Sequence, residues 1–82
     1  MNSRITFSIS GVVENEAILA KVMEAAYDAH FSGRTVSRYA NTSPEEWFAE
    51  TLSAYLLWPN ELKEFDPKAY SAMHSVIPAA TN

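Results

Sequence analysis

Apolar and hydroxyl-bearing residues alternate from Ile5 through Phe7 and Ile9, with Thr6, Ser8 and Ser10 between them. A period of two predicts a strand over about residues 4–10 with one apolar face. Gly11 punctuates it, and Val12 and Val13 either continue past a bulge or lead into the next element. The period then lengthens. Ile18, Val22, Ala25, Ala26 and Ala29 recur at spacings of three and four, joined by Leu19 and Met23, while Glu14, Lys21, Glu24 and Asp28 fall mainly on the opposite side. That pattern predicts an amphipathic helix over about residues 15–30, stopped by Gly33 in a left-handed conformation. The segment Arg34–Arg38 is the other strand candidate, short and weakly patterned. A strand needs hydrogen-bonding partners, so either these two segments pair with each other or the first pairs with another chain.

A second helix is announced by Ser43-Pro44-Glu45-Glu46, which offers a hydroxyl cap, proline at the first helical position and a carboxylate at the third. It is expected over about residues 44–57, closed by Trp58-Pro59. At about 100° per residue, Phe48, Leu52, Tyr55 and Leu56 share its apolar side, and Glu46, Glu50, Ser53 and Leu57 lie together on another. Residues Asn60 to Glu64 can add a further turn or two. Asp66-Pro67 then opens a last helix over about residues 67–77, with Ala69, Tyr70, Met73 and Ile77 as its buried stripe. The fold class predicted is mainly α, in the α+β sense: three amphipathic helices with one or two short strands on the N-terminal side. Residues 1–82 are expected to form a single small domain, because no repeat, linker or low-complexity tract interrupts them.

Composition narrows the function classes. The chain has 82 residues, a net charge of −4 and no cysteine. Without cysteine there is no disulfide framework, thiolate zinc site or cysteine nucleophile. The acidic balance argues against a nucleic-acid partner, which requires clustered Lys and Arg. No segment reads as a signal peptide or membrane span, so a cytoplasmic or virion-associated location is the most compatible, with no membrane partner. A core this small implies a module that leans on a protein partner or on a second copy of itself.

Candidate chemistry centres on Glu46 and Glu50, whose i, i+4 spacing stacks two carboxylates on one helix face, about 6 Å apart at the Cβ atoms. On spacing alone the pair reads first as a capping-box residue, Glu46, and a solvated surface charge, Glu50. The wider segment carries more. Tyr39, Thr42, Glu46, Trp47, Phe48, Ala49, Glu50 and Leu52 fall on a pattern of the form Y-x-x-T-x-x-x-E-[FYW]-F-A-E-x-[FL], continued by Tyr55-Leu56-Leu57 and the stretch from Pro59 to Pro67. Over about residues 15–77 the chain resembles the C-terminal half of the lethal-factor-type zinc metallopeptidases.

In such enzymes two histidines of an H-E-x-x-H helix and a glutamate from a later helix hold zinc, which lowers the pKa of bound water toward about 7. The resemblance implies Glu46 as the third zinc ligand, Tyr39 as the catalytic oxyanion donor, and Glu50 as the residue that orients the ligand. The chain departs from the pattern at one point, for it contains no H-E-x-x-H. Its two histidines, His30 and His74, stand alone. His30 suits a helix C-terminus and His74 a surface or interface. Zinc is therefore possible but not expected for the isolated chain. Trp47 and Trp58 read as core or interface anchors, and Arg34 and Arg38 as solvated cations able to balance the carboxylates.

Three readings follow. The chain is a metallopeptidase-like partial domain acting as a binding or structural module, of a kind plausible in phage, toxin or other mobile-element systems. Alternatively, it is one part of a split or processed peptidase that receives H-E-x-x-H from another chain. In the third reading it is a small helical protein-interaction module with only local likeness to the peptidases.

Overall fold

A computed structural model describes the backbone of residues 9–81 and the side chains of residues 9 and 12–77 within it. The chain is mainly α, as its periodicity predicts. In order come α1 (Ile9–Val12), α2 (Glu16–Ser32), a short 3₁₀ turn (Tyr39–Asn41), α3 (Pro44–Leu57), α4 (Pro59–Phe65) and α5 (Pro67–Thr81).

The helix boundaries follow from local chemistry. Asn15 Oδ1 accepts the Ile18 amide at 3.0 Å and opens α2. Gly33, at φ 71°, closes it. The Gly33 and Arg34 amides donate to His30 O and Ala29 O at 3.2 and 2.9 Å, so two otherwise orphaned carbonyls are satisfied in a Schellman arrangement. Ser43 Oγ accepts the Glu46 amide at 3.1 Å, the hydroxyl half of the expected capping box. At the head of α5, the buried Asp66 accepts the Ala69 amide at 3.1 Å. Prolines begin α3, α4 and α5, where a missing N–H leaves no helical bond unmade.

The core lies where α5 packs across α2, α3 and α4. Small residues of α2 (Val22, Ala25, Ala26 and Ala29) let it approach closely, and Trp47, Phe48 and Met73 fill the remaining space. Ile9, Val13 and Leu62 complete it.

Four expectations are corrected. Of the strand expected over residues 4–10, residues 4–8 lie outside the described residues, and Ile9 and Ser10 belong to α1. Ile9 is buried as a strand reading would have it, but in a helical turn, with no sheet among the described residues to receive it. Arg34–Arg38 is irregular chain and not a strand. The Thr35 and Ser37 hydroxyls satisfy backbone groups of their own loop, which removes the need for a ladder. The buried face of α3 is rotated from the expected one: Trp47, Phe48 and Thr51 are buried, whereas Leu52 and Tyr55 are half-buried and Leu56 is 62 % exposed. On α5, Ala72 and Val76 join Ala69 and Met73 in the core, and Tyr70 and Ile77 are half-buried.

Candidate functional site

The residues singled out by the motif lie where the loop after α2 meets the first turns of α3. Ser37 anchors that loop. Its hydroxyl accepts the Ala40 amide at 3.2 Å and donates to Glu50 Oε1 at 3.1 Å. Thr35 Oγ1 donates to the Ser37 carbonyl at 3.1 Å, and Thr42 Oγ1 donates to the Tyr39 carbonyl at 2.7 Å. Every hydroxyl in these contacts shortens the loop's options, so the 3₁₀ turn that starts with Tyr39 is held against α3. Tyr39 is exposed, and Glu46 and Glu50 are both half-buried on α3. Glu50 is thus a held carboxylate and not a freely solvated one. Sequence spacing did not reveal Ser37 as its partner, because the contact depends on how the loop crosses the helix.

The two histidines lie apart from each other, His30 against the Tyr39–Asn41 turn and His74 on α5. His30 Nδ1 is 2.8 Å from Asn41 Oδ1, at the end of α2, and its ring meets Phe31 edge-on. His74 Nδ1 is 2.9 Å from the Tyr55 hydroxyl, and its ring stacks on Tyr70 at 5.8 Å. A catalytic zinc site needs three protein ligands and an open position. Among the described residues, no three His, Asp or Glu side chains are grouped so as to hold a metal ion. The chain's own described residues therefore do not fit a catalytic zinc ion. Arg34 pairs with Asp28 at 3.6 Å, and Arg38 is exposed.

Two concavities flank α3. One, of about 200 Å³, lies between α2 and the head of α3, walled by Tyr27, His30, Asn41, Pro44 and Trp47. Several of its polar groups are engaged: His30 with Asn41, the Thr42 hydroxyl with the Tyr39 carbonyl, and the Ser43 hydroxyl with the Glu46 amide. The second, of about 380 Å³, lies at the far end of α3, lined by Thr35, Val36, Ala54, Trp58, Leu62 and Phe65, with Glu61. The two tryptophans separate accordingly. Trp47 is 2 % exposed and a core anchor, whereas Trp58 is 59 % exposed. No helix among the described residues is long and apolar enough to cross a membrane. Comparison with protein families, with curated proteins and with solved structures finds no match to this chain.

Proposed function

We propose that the chain is a metallopeptidase-like partial domain, resembling the C-terminal half of the lethal-factor type, in non-catalytic use, a helical module that docks on another protein chain or on a second copy of itself. One observation carries the docking reading. At the corner between α3 and α4, Leu56, Leu57 and Trp58 follow one another at 62, 68 and 59 % exposure, and Phe65 adds 44 %. Single exposed apolar residues are ordinary, but Trp58 and Phe65 line one concavity together with Val36, Ala54 and Leu62, and apolar residues gathered on one surface mark an interaction site. The non-catalytic part rests on the sequence, which holds no H-E-x-x-H, and on the separation of His30 and His74 into different local contacts. A phage, toxin or mobile-element setting rests on the resemblance alone, an analogy of fold to function.

Two measurements test this. A photo-crosslinking residue at Leu57, in cells of the source organism, should give a discrete protein adduct, and one at the exposed Ala20 on α2 should give none. A strictly monomeric chain with no adduct at Leu57 would overturn docking. Titration of the isolated chain with zinc should show no stoichiometric site. One-to-one zinc binding that is lost in Glu46→Gln would overturn the non-catalytic reading.

A second reading is favoured by the Ser37–Glu50 hydrogen bond, which fixes the motif's second carboxylate beside the turn that carries Tyr39. In that reading the chain supplies Glu46 as third ligand to a partner bearing H-E-x-x-H. Zinc-dependent peptide cleavage should then appear only when both chains are mixed. It should be abolished by Glu46→Gln and reduced by Tyr39→Phe.

A further inference from the structure

We draw no further inference here: the strongest candidate, the apolar depression at the α3–α4 corner lined by Val36, Ala54, Trp58, Leu62 and Phe65, is an unpartnered surface, and nothing in the structure shows what covers it.

Discussion

Thr51 is fully buried on the inner face of α3, with Trp47 and Phe48, and its Oγ1 has no hydrogen-bond partner. A hydroxyl in mid-helix commonly donates to the carbonyl four residues earlier, which removes much of the cost of burial. Here that bond is not made. Burying an unpaired hydroxyl costs about 1–3 kcal/mol on mutational scales. Thr51→Val replaces the hydroxyl with a methyl group of similar size. Both residues are β-branched, so rotamer restriction in the helix is nearly unchanged, and their helix propensities are close. The variant should therefore gain about 1–3 kcal/mol. For a domain of this size each kcal/mol moves Tm by about 4–8 °C. Thermal unfolding followed by far-ultraviolet circular dichroism should show a rise of about 10 °C. Thr51→Ser retains the hydroxyl and deletes the packed methyl, so it should lose about 1 kcal/mol. If Thr51→Val melts below the wild-type chain while Thr51→Ser is neutral, the hydroxyl has a partner and the reasoning fails.

Other predictions follow from the helix ends. Gly33→Ala should cost about 1–2 kcal/mol from backbone conformation alone, because no atom lies within 4 Å of the added Cβ; Gly33→Asn should cost less, and urea midpoints of the two will rank them. Asp66→Ala removes the buried cap of α5 and should lower stability by about 1–2 kcal/mol, with most of the loss recovered in Asp66→Asn, which keeps the accepting oxygen. Ser43→Ala deprives the Glu46 amide of its acceptor and should cost about 1 kcal/mol in the same assay. A neutral result there would mean that the first turn of α3 is held by the Tyr39 loop and not by its cap.

The helices were legible because their ends are written in single residues. Asn15, Gly33, Ser43-Pro44, Trp58-Pro59 and Asp66-Pro67 each do local work that no tertiary contact needs to supply. The strand expected over residues 4–10 rested on three alternations, too few to separate a strand from a helical turn at Ile9 and Ser10, the two of its residues that are described, with no second strand among the described residues. The face of α3 was misjudged for a different reason. Trp47, Phe48, Leu52, Tyr55, Leu56 and Leu57 encircle the helix, so periodicity does not single out a face, and packing against α2 and α5 decides it. Of the candidate site, the stacking of Glu46 and Glu50 on one helix was readable from spacing. Ser37 as the hydroxyl holding Glu50, Asn41 beside His30, and Tyr55 beside His74 were not, since each joins residues at least eleven positions apart.

The two tryptophans show why the α3–α4 corner is exposed. Eleven residues of helix turn through about 1,100°, so a continuous helix would project Trp47 and Trp58 within about 20° of each other; α3 ends at Leu57, and Trp58 is its C-cap, at φ −136° and ψ 57°. Sequence pattern treats them alike, and the fold does not. Trp47 lies under α2 and the Tyr39 turn, while Trp58 shares an open concavity with Thr35, Val36, Ala54, Leu62 and Phe65. Pro59 begins α4 at once, so no further turn of α3 carries the stripe beneath another helix. Trp58 thus stands past the end of the stripe formed by Trp47, Phe48 and Thr51. Fully buried aromatics remove about 150–250 Å² each from water. With 59 % of Trp58 and 44 % of Phe65 still accessible, covering both would gain about 5 kcal/mol before the costs of association. That gain is available to any surface that continues the layer.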